Sequence, residues 1–270
     1  MAWKAYSFRA PLLSPLHAGW RTVGNLKQTR RYVPGRSIWG ALAGRLARDR
    51  FREDYAAGRA WVGQYLRYSY WYVSDREGGL GLMPWADGFD WLHMGSHAGT
   101  ALRDGRAKLD GSLHEVEYLA SKTREGNQVW LHGVFFLDDA GGVSAGQLWE
   151  RFQTGGERTY GWGRVGAAVV EECPGTFLWG GSWEWVVGAE GVRVRSVGGA
   201  AAAAVAHVAA EGLGGTVKGG LETVVGRVTS ESGGFGRDFS VAEVCWSPGS
   251  RLGGEFEVGE FGIWRAPGNG

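Results

Sequence analysis

The chain has 270 residues, a net charge of +1, 44% hydrophobic residues and 21% charged residues, values ordinary for a soluble globular protein of one large or two small domains. Its 48 glycines follow no Gly-X-Y period, which excludes collagen; no apolar run reaches membrane-spanning length and no leader pattern opens the chain, so it reads as cytoplasmic with no membrane partner. Charge is unevenly placed: up to Arg59 there are twelve Lys/Arg against three acids, about +9, while the remainder is net acidic, which points to a polyanionic partner for the basic part.

Residues 2–9 alternate and predict a first strand. Residues 10–35, punctuated by Pro11, Pro15, Gly19 and Gly24, predict a loop that carries His17, Arg21, Lys27, Arg30 and Arg31. Ser37 is a candidate cap for a helix running through Trp39 to Arg48, and a weaker helical stretch covers 52–64. The aromatic, β-branched run 66–73 predicts a strand and 78–91 a glycine-rich loop. Residues 96–111 are polar and basic and predict an inserted hairpin that carries His97, Arg103, Arg106 and Lys108. Strands are predicted over 112–120 and 129–137, then a short helix over 144–152, a glycine loop, and a strand over 165–171.

That order, βαββαβ, is the ferredoxin-like (RRM-like) split βαβ with insertions; the fold class is α+β, with a first domain over 1–174. After Cys173-Pro174-Gly175 the composition changes. Trp179, Trp183 and Trp185 fall in a tryptophan-rich stretch, read as filling a β core or as a base-stacking platform. Residues 192–197 alternate as a strand, the alanine-rich 200–210 predicts a helix, and short strands over 221–227, 239–246, 255–258 and 262–264 are separated by glycine turns. Residues 175–270 thus form a glycine-rich, mostly β region, with a second, degenerate ferredoxin-like domain as the alternative.

The densest chemistry lies in one short loop, where Gly155, Gly156, Gly161 and Gly163 alternate with Arg158, Tyr160, Trp162 and Arg164. Glycine allows close backbone approach, arginine forks onto phosphates and aromatic rings stack on bases. Gly161 and Gly163 would bring backbone N–H groups to phosphates, with Arg158 and Arg164 supplying charge. Residues 161–166 also match G-x-G-x-x-G, but a dinucleotide fingerprint needs a strand before and a helix after; here the order is reversed, and that reading is rejected. Arg36 and Ser37 sit at a helix N-terminus, which attracts phosphate, and Lys27, Arg30 and Arg31 are spaced to follow a strand backbone. Cys173 and Cys245 have no metal-ligand spacing and read as free buried thiols, with a single disulfide as the alternative; no histidine pair is set as a metal site. No cofactor is expected.

Three segments in order resemble the RAMP superfamily of CRISPR-associated proteins: Pro15-Leu16-His17-Ala18-Gly19 after the first strand, residues 32–42 (Tyr-Val-Pro-Gly-Arg-Ser-Ile-Trp-Gly-Ala-Leu) opening the first helix, and the loop ending Arg158-Thr159-Tyr160-Gly161-Trp162-Gly163-Arg164-Val165. Trp162 stands where that family more often has Phe or Tyr. The resemblance covers roughly residues 1–170. A Pro248-Gly249-Ser250 segment and the Leu113-His114-Glu115-Val116-Glu117 stretch are similar to the subunits that cap type III and related complexes. The resemblance implies a non-catalytic subunit that holds the 5′ repeat-derived handle of the guide RNA. It would contact CRISPR backbone subunits and a large or nuclease subunit, and target RNA or DNA indirectly. RNA contacts would fall on His17, Arg21, Lys27, Arg30, Arg31, Arg36, Ser37, Gly156, Arg158, Tyr160, Gly161, Trp162, Gly163 and Arg164; His97, Arg103, Arg106 and Lys108 would meet guide, target or neighbouring subunits. The alternatives are a metal-independent endoribonuclease using His17 as acid–base catalyst and a multi-copy backbone subunit.

Overall fold

The computed structural model describes residues 3–79, 81–103, 107–108, 110–173, 177–178, 181–188, 191–230 and 234–268. In chain order its elements are β1 (Trp3–Pro11), β2 (Gly19–Val23), β3 (Leu26–Thr29), α1 (Gly35–Arg50), α2 (Tyr55–Tyr65), β4 (Leu66–Tyr68), β5 (Tyr72–Ser74), α3 (Phe89–His93), β6 (Met94–Gly99), β7 (Leu102–Arg103), β8 (Ala107–Lys108), β9 (His114–Leu119), β10 (Trp130–Asp138) and β11 (Val169–Glu172). The second half adds β12 (Phe177–Leu178), β13 (Trp183–Gly188), β14 (Gly191–Ser196), β15 (Ala202–Ala203), β16 (Val208–Ala209), β17 (Leu221–Ser230), β18 (Gly234–Trp246), β19 (Arg251–Leu252), β20 (Glu255–Val258) and β21 (Trp264–Arg265).

The central sheet has the order β11-β1-β10-β4, with β5 also on β10, and every pairing is antiparallel. Its four segments therefore lie fourth–first–third–second, the split βαβ order. β1 and β10 pair in unbroken register from Trp3↔Asp138 to Pro11↔Trp130. On one face of this sheet Phe8, Leu131, Phe135 and Leu137 share a core with Leu42 and Leu46 of α1 and Val62 of α2. On the other, Ala5, Val134 and Phe136 pack with Trp183, Trp185 and Val194 of the eight-stranded sheet β12-β13-β14-β20-β21-β16-β18-β17. Burial on both faces is why 129–137 reads as a continuous apolar run rather than an alternation. Both cores draw residues from either side of position 175.

The predicted strand 66–73 is two strands. Between them Trp71 exchanges backbone hydrogen bonds with Val33 at 2.8 and 3.0 Å, stacks on Phe8 at 4.0 Å, and crosses β10 at Gly133, where a Cβ would sit 1.9 Å from its ring. α1 begins at Gly35 with Pro34 as its N-cap residue and no side-chain cap. Ser37 is therefore inside the first turn, not the cap expected of it; Pro34 presets the entry φ without needing one.

Three further expectations are corrected. The helix over 144–152 is only a 3-10 turn, Gln147–Trp149; Leu148, Trp149 and Phe152 are buried, but so short a stretch does not repay helix nucleation. The alanine-rich 200–210 is extended, forming β15 and β16: Ala204, Val205, Ala206, His207, Val208 and Ala209 are all buried, so no polar face exists for an amphipathic helix. The predicted loop 10–35 contains the hairpin β2–β3, which joins the excursion strands in a second small sheet, β2-β3-β9-β6. Trp183 and Trp185 fill the second core; Trp179 lies outside the described residues. Cys173 and Cys245 are not joined in a disulfide, and burial pushes the Cys245 thiol up to about 12. No described helix is long and apolar enough to cross a membrane.

Candidate nucleic-acid interface

The three sequence motifs converge. The Gly163 amide donates to the Pro15 carbonyl at 2.7 Å and the Gly156 amide to the His17 carbonyl at 2.8 Å, so the glycine loop lies against the segment that follows β1. The Thr154 amide donates to the Gly163 carbonyl at 3.0 Å, closing the loop on itself, and the Thr154 hydroxyl donates to the Ser37 carbonyl at 3.0 Å, tying it to the first turn of α1. The result is a cleft of about 250 Å³ whose lining includes His17, Arg36, Ser37, Gly156, Arg158 and Arg227.

Its glycines work differently from the expectation. Gly163 has φ +73°, and a Cβ there would sit 1.8 Å from the Thr154 carbonyl oxygen; Gly155 has φ +90°, and a Cβ there would sit 2.7 Å from the His17 carbonyl oxygen. Gly161 has φ +82° but faces open space, and its amide donates to the Arg158 carbonyl at 2.9 Å. The amides of Gly156, Gly161 and Gly163 are thus used inside the fold and do not form a phosphate nest. The outward chemistry comes from side chains. Arg158, Arg164 and Tyr160 are exposed, Tyr160 at 78%, and among the described residues neither guanidinium has an ion-pair partner. Trp162 turns inward instead, edge-on to Tyr118 at 5.2 Å and to His97 of β6 at 6.3 Å.

His17 is 8% exposed. Its Nδ1 donates to the Glu117 carbonyl at 2.8 Å, which in the neutral ring leaves Nε2 as the acceptor, on the Gly19 side. The Arg36 guanidinium lies near the Trp39 and Phe261 rings, at 5.7 and 5.5 Å, and donates to the Arg227 carbonyl; burial pulls its pKa below the ordinary value. The other basic residues are engaged. Lys27 pairs with Glu157 at 3.1 Å, clipping β3 to the loop. Arg21 lies over Trp20 at 4.2 Å and donates to Gln28. Arg31 grips Asp90 through two bonds of 2.5 Å. Arg30 is not in the cleft at all: its side chain is 11% exposed and bound to Glu222. Arg103 and Lys108 lie on β7 and β8, and Arg106 lies outside the described residues.

Two features escaped the sequence reading. Arg227 enters the cleft from β17, in a segment without a motif; the only signal was Gly226 beside it, where a Cβ would collide with the Arg36 guanidinium at 2.3 Å. A buried polar network joins the two halves: Tyr70 Oη lies 2.6 Å from His207 Nδ1, His207 Nε2 contacts Glu222, and Arg30 bonds both Glu222 and Tyr32. Burial alone would raise the Glu222 carboxyl, but hydrogen bonds from His207 and Arg30 and the Arg30 charge bring it down to about 2. Burial lowers the pKa of His207.

No family model matches the chain, and no curated protein matches it. A chain in the cryo-EM structure of the type III-B Cmr-beta complex bound to cognate target RNA and AMPPnP is similar in structure, with a TM-score of 0.52 and 11% identity, over 92% of this chain and 86% of that one. A CRISPR protein from Archaeoglobus fulgidus aligns over 98% of this chain and 96% of its own at TM-score 0.44 and 13% identity, and a chain of a CRISPR RNA-guided surveillance complex over 97% and 95% at 0.34 and 14%. The first of these shows a shared fold, α+β with many strands in several sheets, in agreement with the fold that the RAMP resemblance implied.

Proposed function

We propose that the chain is an RNA-binding subunit of a CRISPR effector ribonucleoprotein that holds the 5′ repeat-derived handle of the guide RNA and caps the row of backbone subunits on which it docks. The observation that carries this reading is the meeting of three separate motifs at one cleft, with Arg158, Tyr160 and Arg164 turned outward and both arginines without an acid partner among the described residues. Unpaired guanidiniums on a fixed loop suit a phosphate backbone, and an exposed tyrosine suits a splayed base. The fold shared with a chain of a type III-B complex supports the same reading.

The role is binding rather than cutting. His17 is buried and its Nδ1 is tied to a backbone carbonyl, which suits a residue that shapes the cleft more than one that shuttles protons. The Arg158→Ala, Arg164→Ala double variant should fold normally, bind handle RNA about ten-fold or more weakly, and show a salt dependence shallower by about 1.4 in logarithmic slope, the share of two single-strand phosphate contacts. Undiminished binding measured by fluorescence anisotropy refutes the assignment. Incubated with repeat RNA in EDTA, the protein should leave it intact; defined cleavage abolished by His17→Ala would make it a nuclease instead.

A further inference from the structure

A second cavity, about 660 Å³, adjoins the motif cleft along β2 and β17. Trp20 and Glu222 line the cavity and are joined by a bond from Trp20 Nε1 to Glu222 Oε2 of 3.0 Å. Gly19 and Arg227, from the same two strands, line the cleft. The volume is that of a small-molecule or single-nucleotide site. Two tryptophans stand on its wall, Trp20 at 43% exposure and Trp85 at 42%.

The deeper wall is built from Arg30, which the sequence reading assigned to backbone contact. Its guanidinium bonds leave from Nη1, to Glu222 and to the Tyr32 hydroxyl at 2.9 to 3.0 Å, with His207 Nε2 3.4 Å away. Among the described residues Nε and Nη2 have no partner, and neither is a buried atom. Both therefore remain as donors on a side chain whose position is set by its other nitrogen. The acids that line the cavity are already answered from within: Glu222 by Arg30, Glu117 by the Thr29 amide at 3.1 Å, and Asp90 by Arg31. What the cavity offers a ligand is aromatic surface and unused guanidinium donors.

We propose that this cavity takes one splayed nucleobase of the RNA strand that occupies the neighbouring cleft, with the base stacked against the face of Trp20 that Arg21 leaves open and a carbonyl-bearing edge on Nε and Nη2 of Arg30. The proposal rests on the RNA-binding reading above. Stacking on an indole tolerates any base, whereas a guanidinium fork selects adjacent acceptors, as guanine O6 and N7 present them. Gly19 lines the cleft and Trp20, the next residue of β2, lines the cavity, so a strand leaving the cleft at Gly19 meets the cavity one residue on.

The test is an abasic scan. Short single-stranded handle RNAs, each with one abasic position, are titrated against wild type, Trp20→Ala and Trp20→Phe. One position should cost wild type about ten-fold in affinity, the scale of one base–aromatic stack. That position should be silent in Trp20→Ala and regain its effect in Trp20→Phe. Placing 4-thiouridine there should give a photo-crosslink at Trp20 or Trp85. A flat scan, or a sensitive position unchanged in Trp20→Ala, overturns the proposal while RNA binding lost in the Arg158/Arg164 variant leaves the parent reading standing. RNA binding that survives in that double variant sinks the parent reading instead, and a wild type that binds no RNA sinks both. A crosslink from the cavity to a protein neighbour in place of RNA also overturns it.

Discussion

At the residue scale, Gly161 and Gly163 show that two glycines of one motif answer to different constraints. Both have positive φ. A methyl at 163 would strike the Thr154 carbonyl oxygen, whereas a methyl at 161 meets open space. Gly163→Ala should therefore destabilise by several kcal/mol, or prevent folding, because the loop has to part from Thr154 to admit the methyl. Gly161→Ala should cost only the left-handed backbone penalty, about 1–2 kcal/mol. Thermal denaturation of the two variants separates them. The motif itself was visible in the sequence, but the destination of its amides was not. Glycine content reports conformational freedom; whether an N–H meets a phosphate or the Pro15 carbonyl depends on a pairing between segments about 150 residues apart. For the same reason Arg158 and Arg164 could be picked out as candidate RNA-binding cations while Arg30 could not be recognised as buried: its partner Glu222 comes from the other half of the chain.

At the scale of elements, local signals worked where local physics decides. The N-cap of α2 is Asp54, whose side chain accepts from the Ala57 amide at 3.0 Å, while the serine that looked like a cap for α1 does no capping. Asp54→Ala should lower stability by about 1 kcal/mol, and Ser37→Ala should change it by less than about 0.5 kcal/mol; urea unfolding of both variants checks the contrast. Strand periodicity located β1, β14 and β20, and an unbroken apolar run located β10, because each carries its pattern within itself. It missed β2 and β3, which are short and in part exposed and are held through the pairing of β3 with β9. Alanine composition misled over 200–210, since helix propensity yields when every side chain in a run is claimed by a core.

At the scale of the whole molecule, the Tyr70–His207–Glu222–Arg30 network fastens the second half to the first. His207 donates from Nε2 to the Glu222 carboxylate and accepts from the Tyr70 hydroxyl at Nδ1, so the ring is neutral with both nitrogens satisfied. The pKa of His207 is depressed below its ordinary 6.5 and that of Glu222 from 4.5 to about 2. Each group thus binds fewer protons folded than unfolded, and each contributes stability that is present above its unfolded pKa and lost on acidification. The melting temperature should fall as pH drops below about 6.5, through His207 first, and fall further below about 4.5 as Glu222 is lost. Tyr70→Phe strands the buried Nδ1 and should cost about 1–3 kcal/mol at neutral pH, read by calorimetry.

The strand β10, buried on both faces, also has a consequence for biosynthesis. A ribosome releases the first half before the second exists. Until β13, β14 and the segment around Val205 arrive, Val134, Phe136 and Tyr72 form a bare apolar surface in water, since their partners Trp183, Trp185 and Val194 are still untranslated or inside the exit tunnel. The emerging chain thus passes through a stage that is sticky by construction, and the last hundred residues act on it as an internal chaperone, covering a sheet that the first hundred and seventy have already paired.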